Sequence, residues 1–447
     1  MKKSILAILL LIFSFSSSFG QTWSAVGGGI NKDVFALCVY NGNLFAAGIF
    51  DSAGGKPANS IAEWNGTAWS TLGTGINGSV YALCVYNGNL CAGGLFDTAG
   101  GVAVNNIAVW NGTNWSALGK GTDSTVNAIK EYNGDLYAGG DFDSAGGILV
   151  NYIAVWNGSN WGSLGTGTNS DVNTLLVEYN GTLCVGGGFT IAGGSSANYI
   201  STWNGTSWNS IGGGITAPTY AVCEYNDSLY AGEDHPYCLC NYNTANYLQE
   251  WNGTSWFSSG FSGSYGGDAS FKGFNSFAVY DSTLYVGGAL TPHGGPSWFG
   301  IPILVLSSWS GTSWVSEIGN LNSGDVAFSL CVYNGNLYAG GLLYIGSVRT
   351  NIVELTLPTG INDIKPNNSI NSYPNPSNGK FTIQSSVVNV QSIVEIYNVL
   401  GEKIYSQYSL PNTQYQIDLS KEPSGIYFYR VTTEKGELIG NGKLIIQ

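Results

Sequence analysis

A short hairpin signal recurs through most of this chain and limits the folds that the chain can adopt. In its clearest copy, Asn87-Gly88 joins the alternating apolar runs that end at Tyr86 and begin at Asn89. Asn-Gly tolerates the positive φ angles that both central positions of a type I′ turn need, so the two runs are predicted to pair as antiparallel strands. The signal occurs seven times at spacings of 46 to 55 residues, at Tyr40, Tyr86, Tyr132, Tyr179, Tyr225, Tyr280 and Tyr333.

A second hairpin follows each copy and completes a unit of four strands. In the second copy, Ile107 to Trp110 and Trp115 to Leu118 flank the turn residues Asn111-Gly112-Thr113. Four strands in each repeat of about 40–50 residues predict an all-β fold, a β-propeller with seven four-stranded blades. A tryptophan marks the last strand seven times, at Trp23, Trp69, Trp115, Trp161, Trp208, Trp256 and Trp314.

The two ends of the repeat region are incomplete in complementary ways. The chain opens on a lone last strand, Thr22 to Val26, and the seventh unit ends at Asn351 to Leu357 without a last strand. We therefore predict that the opening strand supplies the outer strand of the seventh blade. This pairing would close the ring and leave only short, protected strand edges.

The order of motifs within a unit resembles the kelch-type propeller repeat. Leu136-Tyr137-Ala138-Gly139-Gly140 in a second strand, followed by Trp156 and Trp161, carries the resemblance, which extends from about Gln21 to Pro358. The chain departs from the kelch pattern in having Trp where kelch repeats usually have Tyr, and Ala47-Gly48 and Gly232-Glu233 replace the glycine doublet. The resemblance therefore implies the fold more strongly than any function.

The amino-terminal segment predicts export. Residues 1–20 contain Lys2 and Lys3, an apolar run from Ile5 to Phe15, and small residues at Ser18 and Gly20, as in a cleavable secretory signal. The apolar run is too short to span a bilayer, and no other stretch predicts a transmembrane segment in the mature protein. Nucleic acid is an unsuitable partner, because the net charge is −13 and the chain has only 15 Lys and Arg.

The repeat stops after Pro358, and residues 359–372 have the polar composition of a linker. Residues 373–447 contain short alternating strands with Gly and Pro turns, which predict a small β-sandwich. This segment closely resembles the type A C-terminal sorting domain of the type IX secretion system, with Tyr373-Pro374-Asn375-Pro376 at its start and Lys443-Leu444-Ile445-Ile446 at its end. The resemblance implies contact with the secretion machinery through residues 373–447. It also implies a secreted or outer-membrane-surface location in a gram-negative bacterium, reached through the periplasm.

The repeated cysteines and tryptophans predict packing rather than chemistry. Cys84 and Cys91 are expected to face each other across a hairpin, at a hydrogen-bonded pair with Cα atoms about 5.5 Å apart. A disulfide there is geometrically feasible but not favoured. Thirteen of the 14 tryptophans recur at one of two repeat positions. Recurrence in every unit favours burial between blades over a sugar-binding platform.

Strand order predicts which face of the propeller carries a ligand. The short Asn-Gly turns lie on one face, and the long, variable loops lie on the other, which we call the rim. The rim candidates for contact with a cation or with sugar hydroxyls are Asp51, Asp97, Asp143, Glu233, Asp234 and His235. An Asp at the start of a loop also caps a turn. Glu233 to His235, with Cys238 and Cys240, match no standard zinc spacing, so neither a metal nor a cofactor is predicted.

The same rim loops contain a second motif. Asp51-Ser52-Ala53, Asp97-Thr98-Ala99 and Asp143-Ser144-Ala145 resemble the bacterial Asp-Ser/Thr-small O-glycosylation acceptor. The candidate modified residues are Ser52, Thr98 and Ser144. An Asp that caps a turn would produce the same three-residue sequence, so both interpretations stay open here.

The sequence favours a binding or adhesion module, acting as a monomer, that recognises a glycan or a protein. Catalytic residues are not predicted, because the chain has only two histidines and no Gly-x-Ser-x-Gly motif. The alternative is an extracellular glycan hydrolase or lyase on the rim, which requires two converging carboxyl groups. A binding protein requires only a shaped surface.

Overall fold

The computed structural model describes residues 22–179, 181–233, 245–246, 248–259, 262–263, 269–292, 306–309, 314–316, 321–322, 325–356, 370–385, 392–398, 402–409, 414–433 and 438–447. The predicted signal segment, residues 1–20, lies outside these ranges. The chain divides into two compact units, Met1–Leu357 and Pro358–Gln447. Every regular element within the described ranges is a β-strand.

The described part of the first unit contains seven four-stranded antiparallel sheets, and we number them in chain order. The strand β1 (Thr22–Ala25) precedes sheet 1. Sheet 1 contains β2 (Val34–Tyr40), β3 (Asn43–Gly48), β6 (Ile61–Trp64) and β7 (Trp69–Thr71), with a small hairpin of β4 (Ser52–Ala53) and β5 (Lys56–Pro57). Sheet 2 contains β8 (Ser79–Tyr86), β9 (Asn89–Leu95), β12 (Ile107–Trp110) and β13 (Trp115–Ala117), with a small hairpin of β10 (Thr98–Ala99) and β11 (Val102–Ala103).

Sheets 3 and 4 repeat this arrangement. Sheet 3 contains β14 (Val126–Tyr132), β15 (Asp135–Gly140), β18 (Ile153–Trp156) and β19 (Trp161–Ser163), with the hairpin β16 (Ser144–Ala145) and β17 (Ile148–Leu149). Sheet 4 contains β20 (Val172–Tyr179), β21 (Thr182–Gly187), β24 (Ile200–Trp203) and β25 (Trp208–Ser210), with the hairpin β22 (Ile191–Ala192) and β23 (Ser195–Ser196).

The remaining sheets of this unit differ mainly in their connections. Sheet 5 contains β26 (Thr219–Tyr225), β27 (Ser228–Glu233), β29 (Leu248–Trp251) and β30 (Trp256–Ser258), while β28 (Ala245–Asn246) pairs with β31 (Ser262–Gly263). Sheet 6 contains β32 (Ala269–Tyr280), β33 (Thr283–Pro292), β34 (Leu306–Trp309) and β35 (Trp314–Ser316). Sheet 7 contains β36 (Val326–Tyr333), β37 (Asn336–Leu342), β40 (Ile352–Thr356) and β1, with the hairpin β38 (Tyr344–Ile345) and β39 (Val348–Arg349).

The first strands of the seven sheets form a closed series. Each first strand packs against the first strand of the next sheet, and the series ends with β36 of sheet 7 against β2 of sheet 1. The opening strand β1 pairs with β40, so that Trp23 lies opposite Leu355, as the sequence predicted. Asn351 is fully buried beside this junction and donates from Nδ2 to the carbonyl oxygen of Ile30, 2.7 Å away. The first unit is therefore propeller-like.

Local sequence accounts for the strands and their turns. Along β8 the residues alternate between half-buried and buried, because successive side chains of a strand point to opposite faces. At its end, Asn87 has φ of 45° and Gly88 has φ of 70°. Two positive φ angles in a two-residue loop are the geometry of a type I′ turn, whose twist matches that of the flanking strands.

Tryptophans of the last strands connect neighbouring sheets. The Nε1 of Trp115 in sheet 2 donates to the carbonyl oxygen of Leu72, which follows the last strand of sheet 1, at 3.1 Å. Trp161 makes the equivalent bond to the carbonyl oxygen of Leu118 at 2.9 Å. The same bond joins Trp69 to Val26, Trp208 to Leu164 and Trp256 to Ile211. The expected packing role is therefore confirmed for these five tryptophans.

The cysteines of the described ranges also belong to the core. Cys84 pairs directly with Cys91 across β8 and β9, and both are buried free thiols. The hydrogen bond with Cys91, together with burial, raises the pKa of the Cys84 thiol well above its usual value. A neutral, buried thiol behaves as a small apolar side chain. This agrees with the expectation that a bridge is not favoured here.

The second unit consists of two facing sheets. One contains β41 (Ile370–Tyr373), β42 (Lys380–Ser385) and β45 (Gln414–Asp418). The other contains β43 (Ser392–Asn398), β44 (Lys403–Ser409), β46 (Gly425–Thr433) and β47 (Leu438–Ile446). Phe381 and Ile383 of the first sheet and Val394 of the second belong to one core cluster. The first strand described in this unit, β41, begins at Ile370.

The two sequence signals of this unit lie together. Asn375, in the opening motif, donates from Nδ2 to the carbonyl oxygen of Lys443 at 2.6 Å. Its Oδ1 accepts a hydrogen bond from the backbone N of Ile445 at 2.9 Å. Ser377 forms an additional backbone bridge with Ile446. The first and last motifs of the domain therefore form a single hydrogen-bonded surface, although almost 70 residues separate them.

Candidate ligand-binding face

The rim of the first unit is formed by the small hairpins and the connections that enter the first strands. Backbone bridges join the two, as between Ile30 and Ala53 and between Ile76 and Ala99. The backbone N of Gly54 also donates to the carbonyl oxygen of Gly29 at 2.8 Å. The rim loops are thus attached to one another and to the start of the first strands.

A β-bulge interrupts the first strand of every sheet in the described part of this unit, near the start of the strand in all sheets except sheet 6. In sheet 1, Val34 pairs with Gly48 and Ala36 pairs with Ala47, so Phe35 between them has no partner in the ladder. A bulge redirects a side chain and is common beside functional sites. We call the seven residues at these bulges the bulge ring: Phe35, Tyr81, Asn127, Asn173, Tyr220, Asn275 and Phe328.

The glycine doublet of the repeat permits the bulge. Gly94 is the second glycine of the doublet in sheet 2, and a Cβ placed on it would lie only 2.0 Å from the carbonyl oxygen of Ser79. Gly48, Gly140 and Gly341 meet equivalent carbonyl oxygens at 2.0, 2.0 and 1.9 Å. Sheet 5 keeps the bulge with Glu233 at the equivalent position, so glycine allows the closest approach of the strands but is not required for the bulge. The doublet is visible in the sequence, where it indicates only a family motif, and the bulge ring is not apparent from it.

One part of the bulge ring is aromatic. The ring centroid of Phe35 lies 5.3 Å from that of Tyr81 in sheet 2 and 5.3 Å from that of Phe328 in sheet 7. These spacings lie within the range of favourable aromatic pairs. All three side chains are only half-buried. Three consecutive sheets therefore present one continuous, partly open aromatic surface, which we call the aromatic arc.

The neighbouring part of the bulge ring is polar, and we call Asn127 with Asn173 the amide arc. The Nδ2 of Asn127 donates to Asp141 Oδ1 at 3.1 Å and to Asn173 Oδ1 at 3.5 Å. The Nδ2 of Asn173 is buried, and no described residue accepts a hydrogen bond from it. An unpaired buried donor costs about 1–3 kcal/mol, so the described residues leave this hydrogen-bonding capacity of the amide arc unused.

The predicted rim aspartates hold loops together. Asp51 Oδ1 accepts from Asn31 Nδ2 at 2.5 Å, and Asp51 Oδ2 pairs with Lys32 Nζ at 2.7 Å. Hydrogen bonds from Lys32 and then Asn31 hold the pKa of Asp51 below its usual value. Asn31 Oδ1 in turn accepts from the backbone N of Asp51 and of Ser52.

The same arrangement recurs in the next two sheets with small changes. Asp97 Oδ1 accepts from Asn77 Nδ2 at 2.6 Å, and the hydrogen bonds from Thr98 and then Asn77 lower the pKa of Asp97. In sheet 3 the partner is Asp123, whose Oδ1 accepts from the backbone N of Asp143 at 3.1 Å. The three aspartates occupy equivalent places in separate sheets, and the structure does not gather them into one cluster.

Glu233 occupies the position that a glycine holds in sheets 1 to 4. It is fully buried, and its Oε1 accepts from the backbone N of Thr216 at 2.9 Å. The Thr216 hydroxyl and Gln249 Nε2 also bond to this carboxylate. Glu233 thus fixes a connection beneath the rim. Asp234 and His235, like Cys238 and Cys240, lie outside the described residues.

The candidate modification residues open the small hairpins β4, β10 and β16. Ser52, Thr98 and Ser144 are each partly exposed. The hydroxyl of Thr98 donates to Asp97 Oδ1 at 2.8 Å, so this threonine contributes to the loop bonds.

Within the described ranges, no group of three or more His, Cys, Asp or Glu residues could hold a metal ion. The described chain likewise includes no helix with the length and apolarity that a membrane crossing requires.

Fold and site together define the class of protein: an all-β chain with a propeller-like unit, followed by a small two-sheet unit. Residues 371–447 match the family model of the secretion system C-terminal sorting domain, which confirms the type IX sorting domain predicted from the sequence. This domain indicates secretion or a cell-surface location. None of the curated proteins matches the chain significantly.

Solved structures resemble the chain at low sequence identity. The extracellular domain of a one-component system, BT4673 from B. thetaiotaomicron, is 11% identical with a TM-score of 0.43, and the match covers 92% of this chain. The chain spans only 56% of the length of that protein. A fungal alcohol oxidase of the AA5 family in complex with copper is 11% identical with a TM-score of 0.37, covering 96% of this chain and 94% of its own. Trypanosoma rangeli sialidase in complex with sialic acid is 10% identical with a TM-score of 0.32, covering 93% and 85%.

Proposed function

We propose that this protein is a secreted or cell-surface binding and adhesion module, a kelch-like seven-bladed β-propeller that recognises a glycan or a protein on its rim. The bulge ring carries the proposal, because a bulge redirects one side chain at the equivalent place in each of the seven sheets, and neighbouring members of the ring contact each other. Most of the bulge-ring residues are aromatic or amide side chains that remain partly open. Partly apolar surfaces with a few placed polar groups are typical of ligand sites.

The arrangement of the carboxylates favours binding over the alternative, a glycan hydrolase or lyase. A glycosidase needs two carboxyl groups about 5–10 Å apart on either side of the scissile bond. The rim aspartates Asp51 and Asp97 are each bonded to a loop amide in a different sheet, and Glu233 is buried beneath the rim. These acids serve the loops, and none occupies the bulge ring.

Export follows from both ends of the chain in this proposal. Residues 1–20 direct the protein to the periplasm, and the sorting domain contacts the type IX machinery. The hydrogen bonds between Asn375 and the Lys443–Ile445 strand segment support a single recognition surface made from both motifs of that domain. The mature protein acts as a monomer at the outer-membrane surface or in the medium.

The functional test is binding with product release measured in parallel. The full mature protein is applied to arrays of oligosaccharides and of surface proteins, and the same ligands are incubated with the protein and analysed by mass. We expect retention of a ligand without any change in its mass. Release of a shortened or unsaturated sugar would instead establish the enzyme.

The export test uses a point variant and a matched control in a host with the type IX system. Asn375→Ala removes both bonds between the motifs, and we expect the protein to accumulate in the periplasm. Asn378→Ala alters an exposed residue of the same turn and should be exported normally. Normal surface display of the Asn375 variant, or of a chain lacking residues 373–447, would refute this route.

A further inference from the structure

The bulge ring is divided by chemistry, and the division restricts what it can bind. The aromatic arc of Phe328, Phe35 and Tyr81 belongs to sheets 7, 1 and 2, while the amide arc of Asn127 and Asn173 belongs to sheets 3 and 4. The two arcs are adjacent, because β8 of sheet 2 packs against β14 of sheet 3. A ligand in contact with both must therefore be apolar on one side and polar on the other.

The charge of the ring excludes ionic ligands. All seven positions are described, and none carries a side chain that is charged at neutral pH. An anion would need Lys, Arg or a cluster of backbone donors, and it would also meet Asp141 and a protein with net charge −13. A cation would need several carboxylates at once. The ring therefore fits a neutral ligand.

The amide arc specifies the polar side of that ligand. Asn173 Nδ2 is an unpaired buried donor, and Asn127 is held in place by Asp141, so its orientation is set before a ligand arrives. An amide both donates and accepts hydrogen bonds, and a hydroxyl does the same. A ligand with several hydroxyl groups satisfies such a pair, whereas a purely apolar ligand would leave the donor unpaired at a cost.

We infer that the bulge ring binds a neutral carbohydrate. One face of a sugar ring carries C–H groups and stacks on Tyr81 and Phe35, while hydroxyl groups along its edge bond to Asn127 and Asn173. This inference rests on the proposed binding function and makes it specific in ligand class and in place. Asp141 acts as a positioning residue, because it accepts the hydrogen bond that holds the Asn127 amide.

The experiment measures binding of the full mature protein to an array of neutral gluco-, manno-, galacto- and xylo-oligosaccharides, followed by titration with the best ligand. We expect at least one neutral oligosaccharide to bind. Tyr81→Ala removes stacking, and Asn173→Asp removes the unpaired donor without changing the size of the side chain. Each variant should raise the Kd at least tenfold.

Matched controls separate the site from the fold. Val39→Ala alters an exposed residue at the opposite end of the first strand of sheet 1, and should leave the Kd unchanged. Tyr81→Phe keeps the aromatic ring and should change the Kd less than threefold. Melting temperatures of all variants are compared. If Tyr81→Ala unfolds the chain, Asn173→Asp and Tyr81→Phe still decide the result.

Two outcomes would overturn the inference. If Tyr81→Ala and Asn173→Asp bind the oligosaccharide as tightly as the unmodified protein, the site is elsewhere. If the protein retains only a protein or only charged glycans, the ligand class is wrong while the proposed binding function stands. Failure to bind any ligand on this array, together with failure on the oligosaccharide and protein arrays of the functional test, removes both proposals.

Discussion

The interfaces between sheets and the bulge ring use similar aromatic side chains in opposite ways. At the interfaces, Trp115 is buried, and its Nε1 donates to the carbonyl oxygen of Leu72 in the preceding sheet. In the bulge ring, Tyr81 is half-buried and contacts Phe35 of the same neighbouring sheet. Both places are repeated around the first unit, and both join sheet 1 to sheet 2.

The difference between them lies in what is repeated. At the interfaces the residue itself recurs, and the five tryptophans described there each fill the same space and donate the same bond toward the neighbouring sheet. In the bulge ring only the backbone feature recurs, while the side chain is Phe, Tyr or Asn. Packing accounts for a constant residue. A variable residue at a constant backbone position indicates a surface adapted to something outside the fold.

Deletion of residues 22–29 should have the largest effect on the interfaces. It removes β1, which pairs with β40 along four residues, and the buried side chain of Trp23. The loss of that side chain alone costs about 3–5 kcal/mol, and an unpaired strand edge is exposed as well. We expect the melting temperature, measured by circular dichroism or calorimetry, to fall by about 10 °C. Ser24→Ala changes an exposed residue of the same strand and is the control. If the deletion variant melts at the same temperature as the full chain, β1 does not close the unit.

Trp115→Ala should have the next largest effect, about 3–5 kcal/mol in the free energy of unfolding, because it leaves a cavity between sheets 1 and 2. Trp115→Phe keeps most of the volume but leaves the Leu72 carbonyl oxygen without its donor, at a cost of about 1–3 kcal/mol. Chemical denaturation measures both. A decrease in the free energy of unfolding below about 1 kcal/mol for the alanine variant would contradict a structural role of the interface tryptophans.

Tyr81→Ala should cost much less stability than Trp115→Ala. Its side chain is partly exposed, and the aromatic contact with Phe35 is worth about 0.5–1.5 kcal/mol. We expect a loss of about 1 kcal/mol by the same denaturation experiment. If the two substitutions prove equally destabilising, the bulge ring is part of the core, and the contrast between the regions disappears.

The three Asp-Ser/Thr-Ala triplets of the rim provide the smallest expected effect. They also test separately whether a residue that recurs in several sheets stabilises the fold. Asp97 and Thr98 recur as the same motif in three sheets, and Asn77 bonds to the backbone of both. If recurrent residues stabilise the fold, peptide mapping of native protein should show unmodified Ser52, Thr98 and Ser144. Intact mass of the mature chain is the accompanying check. A glycan on any of the three would show that recurrence here marks a modification site.

Much of the fold could be predicted from the sequence, whereas the candidate site could not. Spacing of the hairpins predicted repeated four-stranded sheets, and Asn87-Gly88 predicted the turn that its φ angles show. The rim was also located by strand order. The aspartates chosen on that rim proved to be bonded to loops, since Asn31 and Asn77 lie 20 residues away from their partners in the chain. No local pattern reveals such a partner.

The sequence by itself determined the features that depend on neighbouring residues: strand alternation, turn type, the number of repeats and the two motifs of the sorting domain. Only the tertiary structure decided where side chains from different repeats meet. The bulge that redirects Tyr81 depends on how two strands pair, and the contact of Tyr81 with Phe35 joins residues 46 positions apart. The Asn375 bonds to the last strand span the whole second unit. Such contacts arise from chain topology, so their chemistry is absent from any local stretch of sequence.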